Sequence, residues 1–246
     1  NKDKMFHSLR LWNNELVYEI NFGGKFMTTE TIMKIGVNLI VLFLVIPIHE
    51  YAHAWSATKL GDNTPRYQGR LTLNPLAHID PIGAICMVIC GFGWGRPVQV
   101  NPLNFKKYRK GMALTAAAGP ISNLIVAFVG TIVFKFLNPM FYYNPSTAFY
   151  WVLVILQYFI AVNLGLAVFN LLPIPPLDGS KILSYFTGPK FDRFVAQYQL
   201  YISIAFIVLV FSPILQTPLG YIQQGMFWVM DKLTFWVDII VNLIVR

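Results

Sequence analysis

The sequence predicts an all-α membrane protein, and two observations predict it: the composition and the length of the apolar runs. Hydrophobic residues make up 56% of the 246-residue chain and charged residues only 12%, which is far from the average of soluble domains. Apolar runs recur at about the 20 residues that a helix needs to cross a bilayer. They cover, approximately, residues 32–58, 112–137, 147–172, 198–217 and 220–245. We therefore expect about five to six transmembrane helices.

A shorter apolar stretch at residues 79–93 lies between the first two runs and is too short to span a bilayer comfortably. Its glycines suit a tight backbone path that protein, rather than lipid, must cover. They are Gly83, Gly91 and Gly93, followed by Gly95. We predict that this stretch is re-entrant. The last run, 220–245, carries Asp231, Lys232 and Asp238, so it is either a final span or an interfacial helix.

The chain is divided into an N-terminal segment, residues 1–26, and an integral-membrane domain, residues 27–246. The segment lacks the continuous apolar core of a secretory signal. Its residues fit both an amphipathic interfacial helix and an extended strand, and Met27 is an alternative native start.

The distribution of basic residues indicates which loops of the chain face the cytoplasm. The net charge is +8, and Lys and Arg concentrate in residues 59–111 and 178–197, whereas residues 138–147 and 211–225 contain no charge. The positive-inside rule places the two basic regions in the cytoplasm. We expect a multi-pass protein of the cell membrane whose partner is the lipid bilayer and not nucleic acid. In this topology the last run returns to the cytoplasmic side.

The sequence His49-Glu50-Tyr51-Ala52-His53 follows one of the most apolar runs of the chain. Residues four apart lie on the same helix face, so His49 and His53 can point at one metal ion, and Glu50 can reach its bound water. This is the H-E-x-x-H arrangement of zinc peptidases, in which the glutamate is the general base. Ionisable residues inside a membrane helix are expensive, and this favours a functional role.

A catalytic zinc site needs a third protein ligand. No glutamate follows the motif, so the ligand must be a later histidine, a cysteine or an aspartate. The candidates are His78, Cys86, Cys90 and Asp178, and the two cysteines are more typical of small buried hydrophobes. Asp178 is favoured because it ends the stretch NLLPIPPLDG, whose prolines cannot continue a helix and so can turn a carboxylate inward. His78, beside Asp80, is the competing candidate.

The sequence closely resembles the site-2 protease family of intramembrane zinc metalloproteases, in particular its compact prokaryotic members. The resemblance covers about residues 32–195. Its motifs are HEYAH at 49–53, GRLTLNPLAHIDPIG at 69–83, FGWGRPVQVNP at 92–102, AAGPISN at 117–123 and NLLPIPPLDG at 170–179. No PDZ domain or nucleotide-sensing CBS domain, which some relatives carry, is recognisable, so the recruitment and regulation of substrates stay open.

The resemblance implies a catalytic core of three helices with one zinc ion per chain. It implies that His49, His53 and Asp178 hold the zinc and that Glu50 activates water. Asn170 matches an asparagine thought to position substrate or stabilise the oxyanion, and the structural alternative is that it caps backbone groups freed by the prolines. Three further matches lie in the second span, where close helix packing and backbone satisfaction are the expected roles: Gly119, Pro120 and Asn123.

The implied function is hydrolysis of peptide bonds within or near transmembrane segments of membrane proteins, which would make such a segment the partner. Two short stretches that alternate like strands, Leu71–Leu73 and Pro97–Val100, could receive an unwound substrate by edge pairing or form a closed hairpin. Four residues are then candidates for substrate binding: Leu71, Leu73, Val98 and Val100. The alternatives are an ion or metal transporter and a non-catalytic binder of membrane helices. The oligomeric state stays open.

Overall fold

The computed structural model describes residue 36 and residues 38–90, 93–143, 145–210 and 212–244. The N-terminal segment 1–26 lies outside the described residues. The helices are, in chain order, α1 (Ile46–Lys59), α2 (Thr64–Tyr67), α3 (Pro75–His78), α4 (Pro81–Cys90), α5 (Tyr108–Tyr143), α6 (Thr147–Asn170), α7 (Asp178–Thr187), α8 (Pro189–Gln197), α9 (Gln199–Val210), α10 (Pro213–Leu233) and α11 (Phe235–Ile244). A π-helical turn, Val41–Val45, precedes α1, and a 3₁₀ turn, Pro102–Asn104, precedes α5. The predicted all-α class is confirmed.

Three described helices are long and apolar enough to cross a membrane: Asn38–Lys59, Tyr108–Phe141 and Thr147–Asn170. A fourth span results if α8 and α9, which meet at a bend of 80°, are counted as one. The protein is therefore a multi-pass membrane protein, but five to six spans are not confirmed. The last apolar run is not one continuous helix, because α10 ends at Leu233 and α11 begins at Phe235.

The 79–93 stretch folds back on itself. Its helix α4 has ten residues, which corresponds to about 15 Å and is shorter than the hydrocarbon core of a bilayer. A Cβ atom on Gly83 would collide with the carbonyl oxygen of Trp94, so the chain returns past the start of α4 soon after it ends. Only glycine permits this approach. The return favours a re-entrant path, which stays a prediction.

The expected strands at Leu71–Leu73 and Pro97–Val100 do not form. The described residues contain no β-strand, and an isolated bridge joins Ile79 to Gly95. Proline at position 97 has no N–H to donate, and the N–H of Val98 donates to a side chain, Glu50, at 2.9 Å. Two of the four residues in the 97–100 stretch therefore have no backbone N–H to give to a neighbouring strand.

The core lies between α5 and α6, where a buried cluster includes Ala127, Phe134, Ile160 and Leu164. The antiparallel pairing of these two long helices gives one continuous apolar interface. The helix α1 packs on the N-terminal half of α5, where Ala54 and the other small residues of α1 permit close approach.

The C-terminal helices pack on the outside of this pair. Gln223 in α10 donates its amide to the Ala161 carbonyl at 2.7 Å, and Asp231 lies 2.8 Å from Lys135 in the second half of α5. From Gln223 to Asp231, α10 therefore runs towards the end of α5 that is remote from the histidine motif. The expectation that this run returns to the motif's side of the membrane is wrong for this part of the chain.

Candidate metal centre

The two motif histidines stand one above the other on α1, as their spacing of four predicts. Both are buried, and their Nε2 atoms are 3.0 Å apart. The rings are nearly perpendicular, at 86°, with centroids 4.6 Å apart. One side of α1 thus presents two ring nitrogens to the same point.

The other ring nitrogens are held by α5. The Nδ1–H of His53 donates to the Thr115 carbonyl at 2.7 Å, and the Nδ1–H of His49 donates to Asn123 Oδ1 at 2.9 Å. A neutral imidazole carries one proton, so both Nε2 atoms are left as bare acceptors. This is the arrangement in which metal-binding histidines are oriented by a second set of protein groups.

Asp178 completes the group from the opposite side. It is the first residue of α7 and follows the irregular stretch 171–177 that the prolines create. Its Oδ2 atom lies 3.3 Å from His49 Nε2 and 3.1 Å from His53 Nε2. Burial alone would raise the pKa of the Asp178 carboxyl, but the two imidazoles and Lys181 hold it well below its usual range. Asp178 is therefore a carboxylate at neutral pH.

These three atoms fit a metal ion. When both imidazoles are neutral with the proton on Nδ1, all three atoms are acceptors, and such a group repels itself unless a metal ion or a shared proton lies at its centre. Ligands at about 2.0–2.1 Å from a tetrahedral zinc ion are about 3.3 Å from one another, and the three separations here are 3.0–3.3 Å. A fourth tetrahedral position would remain for water or substrate.

Glu50 lies beside this group and is half-buried. One carboxylate oxygen of Glu50 and one nitrogen of each histidine lie within 4.8 Å of one another, so Glu50 is a second carboxylate that a metal could use. Distance favours Asp178 over Glu50 as the third ligand, because Asp178 Oδ2 lies within 3.3 Å of both Nε2 atoms. Glu50 also accepts the Val98 N–H through Oε2. It is placed to act on a water molecule at the fourth position.

Gly119 and Asn123 have roles at the centre that the sequence did not reveal. A Cβ atom on Gly119 would collide with both imidazole rings, so the expected close helix packing here is packing against the metal-binding side chains themselves. Asn123 is fully buried and orients His49 rather than satisfying the backbone. Together with Thr115, these residues recur every four positions, which is one face of α5 and the signal that could have indicated them.

Asn170 and His78 do not join the centre. Asn170 donates its amide to the Leu166 carbonyl, one turn earlier in α6, at 3.0 Å, so it does not cap groups freed by the prolines. His78 is fully buried and its Nε2–H donates to the Thr72 carbonyl at 2.7 Å, which fixes a loop. Cys86 is a free thiol in α4 and belongs to no cluster of metal-ligating groups within the described residues.

The four candidate substrate-binding residues lie in two irregular segments, 71–73 and 97–100. Leu73 is exposed, and Leu71, Val98 and Val100 are half-buried. Of these four, Val98 has a described contact with the site, and it makes it through its backbone.

The sequence model of peptidase family M50 matches residues 37–210. YwhC of Bacillus subtilis (strain 168), which is named as a zinc metalloprotease, is 43% identical over 179 residues, or 72% of this chain and 80% of its own length. Rip2 of Mycolicibacterium smegmatis, named in the same way, is 27% identical over 215 residues, or 83% of this chain and 78% of its own. Rip2 of Mycobacterium tuberculosis (strain H37Rv) is 28% identical over 213 residues with the same coverage, 83% and 78%. No solved structure matches. Since the family model covers more than half of the sequence, this chain belongs to peptidase family M50, the site-2 protease family.

Proposed function

We propose that this protein is a zinc endopeptidase that cuts peptide bonds within or near transmembrane segments of other membrane proteins, at the cytoplasmic side of the cell membrane. Its family and its apolar helices make it a membrane metalloprotease. The observation that carries the finer proposal is the convergence of three acceptor atoms beside Glu50 at the end of an apolar helix. The basic loops that flank the site support the cytoplasmic side.

His49, His53 and Asp178 would hold one zinc ion per chain, the metal for which the similar proteins are named. When bound, zinc supplies a Lewis acid that polarises the substrate carbonyl and makes water a better nucleophile near neutral pH. The protein's part is to fix the geometry. Thr115 and Asn123 keep the two rings aimed, and α7 brings the third ligand from a distant part of the chain.

Glu50 is the general base and then the general acid. Its carboxylate accepts a proton from the attacking water and returns it to the leaving amine nitrogen, so that the C–N bond breaks and the products are a carboxylic acid and an amine. Asn170 is a candidate for positioning substrate or stabilising the oxyanion. For this role its amide must leave the Leu166 carbonyl and turn towards the substrate.

The substrate is a transmembrane segment that unwinds locally, because a helical peptide bond is shielded by its own hydrogen bonds. Leu71, Leu73, Val98 and Val100 are the residues we propose for its binding. Since the Val98 N–H is already used by Glu50, edge pairing must depend on the other backbone groups of these stretches. Their irregular path leaves such groups without a partner strand.

The test compares wild type with Glu50→Gln, which keeps the size of the side chain and removes the base. Both proteins are expressed in the same cells, zinc is quantified in each after purification, and the membrane proteomes are compared. A membrane protein shortened only by the wild type supports the proposal and identifies a substrate. If no protein differs while both variants hold zinc, the peptidase proposal fails. A change in metal flux without any cleavage would instead favour a transporter.

A further inference from the structure

We propose that the backbone amide of Val98 is a positioning group for Glu50, and that Asp62 holds the loop that delivers it. The positioning role rests on the proposed function, in which Glu50 is the general base. The hydrogen bond itself can be tested without any measurement of activity. It concerns residues 95–104, the segment between the 79–93 stretch and α5, which we term the amide loop.

The contact at the centre of the loop is specific. The Val98 N–H donates to Glu50 Oε2 at 2.9 Å, across 48 residues of sequence. A peptide amide cannot rotate as a side-chain donor can, so this bond holds one carboxylate oxygen in a fixed place. One of the two Glu50 oxygens lies within 4.8 Å of a nitrogen of each histidine. A general base must be held in the geometry of proton transfer, and positioning by a rigid element achieves this better than a mobile contact.

The beginning of the amide loop is tied to a buried residue. The Arg96 N–H donates to the His78 carbonyl at 2.7 Å, next to the bridge between Ile79 and Gly95. His78 is fully buried, and its ring is bonded to the Thr72 carbonyl. Val98 therefore lies two residues after a fixed point.

The end of the amide loop is tied to α1 through Asp62. Asp62 lies three residues after the end of α1, on the same segment as the H-E-x-x-H motif, and is fully buried. Its Oδ2 accepts the Asn101 N–H at 2.8 Å, and its Oδ1 accepts the Asn104 amide at 2.7 Å. Thr64 donates to Oδ1 twice, from its backbone at 3.0 Å and its hydroxyl at 2.6 Å.

Three of these bonds are to Oδ1 and one is to Oδ2, and the carboxylate is fully buried, so we assign it a structural task. Asp62 joins the helix that carries Glu50 to the loop that carries Val98. Because hydrogen bonds hold the loop at both ends, we propose that it stays in place and holds Glu50 throughout the reaction. A loop that left the site during catalysis would have to break these bonds.

The contact is tested first by amide hydrogen exchange in the metal-free protein. Glu50→Ala removes the acceptor, and we expect exchange at Val98 to become at least about tenfold faster, which corresponds to about 1.4 kcal/mol, within the range of a bond to a charged group. Exchange at Asn101, whose acceptor is Asp62, should not change. Equal exchange at Val98 in both proteins would overturn the contact. This result would be independent of whether the protein cuts peptides.

The role is tested by steady-state kinetics of the zinc-loaded protein on a substrate identified through the Glu50→Gln comparison. Val98→Pro removes the N–H and Val98→Ala keeps it. The two variants are compared with each other, because both change a side chain that we propose for substrate binding. Lys106→Pro is the matched proline control, since Lys106 is exposed, lies outside the stretches proposed for substrate binding and has a backbone N–H with no described acceptor. We expect the kcat of Val98→Pro to be about tenfold to a hundredfold below that of Val98→Ala, which is part of the 10²–10⁴ that general base catalysis contributes. Its KM should stay within about twofold of that of Val98→Ala, and its zinc content within about twofold of wild type.

Lys106→Pro should remain within about threefold of wild type. An increase in kcat for Val98→Pro would show that the loop blocks the site, and a rise in KM alone relative to Val98→Ala would show a substrate contact of the N–H. Either result overturns the proposal, and so does a loss in Val98→Ala or Lys106→Pro as large as in Val98→Pro.

Asp62→Asn provides a second variant in case proline disrupts the fold. Its amide cannot accept all four bonds, so the amide loop should loosen and kcat should fall while zinc stays bound. Since Asp62 and Val98 act through the same group, the double variant should lose little more than the worse single variant. Multiplied losses in the double variant would contradict the link between them. If the wild type and Glu50→Gln proved equally inactive, the proposed function would fail while the exchange result stood.

Discussion

Asn123 accepts a hydrogen bond from His49 through an Oδ1···Nδ1 separation of 2.9 Å, and this bond decides which nitrogen of the ring faces Asp178. The two residues lie on different helices, α5 and α1, and both are buried. In the same way, the Thr115 carbonyl accepts the Nδ1–H of His53, so that the Nε2 atom of His53 faces Asp178. The metal centre is thus built by two layers of residues: the side chains that face the metal position, and the groups of α5 that orient the two imidazoles.

Replacing Asn123 should weaken metal binding. Asn123→Leu leaves the His49 Nδ1–H without an acceptor, and the loss of such a partner lowers metal affinity by about 10-fold to 100-fold. The affinity is measured by competition with a zinc chelator. Thr131→Val is the control, because its hydroxyl is bonded within α5 to Ala127 and is remote from the histidines. Equal affinities of Asn123→Leu and wild type would contradict this role.

Gly119→Ala should remove both zinc and activity. The added methyl group collides with His49 and His53, so α1 and α5 must separate or the rings must turn. The strain of such overpacking is about 1–3 kcal/mol. Zinc content and melting temperature in detergent report the result. Gly220→Ala in α10 is the matched control, since a Cβ atom there meets nothing within 4 Å. A zinc-loaded, active Gly119→Ala protein would refute the packing argument.

Asp62→Asn should lower stability in a pH-dependent way. Burial by itself would raise the pKa of Asp62, but its bonds from Thr64, Asn104 and Asn101 lower it below its ordinary value. A carboxyl with a lowered pKa stabilises the folded state above its unfolded pKa, about 3.9, and loses this effect as the pH falls through the folded pKa.

The difference in melting temperature between wild type and Asp62→Asn should therefore be full at pH 7 and shrink below about pH 4. Melting is followed in detergent with a chelator present, so that zinc does not contribute. Because the lost bonds involve a charged group, we expect about 1.5–3 kcal/mol at pH 7. A difference that grows on acidification would have the wrong sign.

Lys135→Met should loosen the C-terminal helices without affecting the metal. Lys135 is largely buried and lies 2.8 Å from Asp231 and 2.7 Å from Asp238, so its loss leaves two carboxylates without a partner. Breaking a fully buried pair costs about 3–5 kcal/mol, and we expect less here because both aspartates are about half exposed.

The melting temperature of Lys135→Met should fall while its zinc affinity stays that of wild type. The variant that also carries Asp231→Asn and Asp238→Asn removes the unpaired charges and should recover part of the loss. Weaker zinc binding in Lys135→Met would show that α10 and α11 support the metal centre, contrary to this expectation.

Local patterns predicted the parts of the site that lie on one element. His49, Glu50 and His53 are arranged by a single helix, so their spacing was sufficient to place them. The sequence could also indicate Asp178, because the prolines that precede it end a helix in any fold. The structure brings Asp178 to both histidines. The spacing of Thr115 and Asn123 puts them on one face of α5, but their roles could not be predicted, because these depend on the register between α1 and α5.

The errors in the fold have the same origin. Alternating residues at Pro97–Val100 predicted a strand, but a strand needs a partner for its N–H groups, and that of Val98 is taken by Glu50. Apolar runs predicted a span at 198–217, which is not confirmed: hydropathy does not report where a helix ends, and α9 ends at Val210 before α10 begins at Pro213. Length and composition thus predicted the helices and not their paths.

The proposed ligands of the metal centre come from distant parts of the sequence, since His53 lies on α1 and Asp178, 125 residues later, opens α7. During synthesis α1 is therefore made long before Asp178. A chain that is truncated before α7 carries the two imidazoles and Glu50 but lacks the carboxylate that approaches both rings. Made in this order, the proposed peptidase cannot act on the membrane segments beside it until α7 is in place.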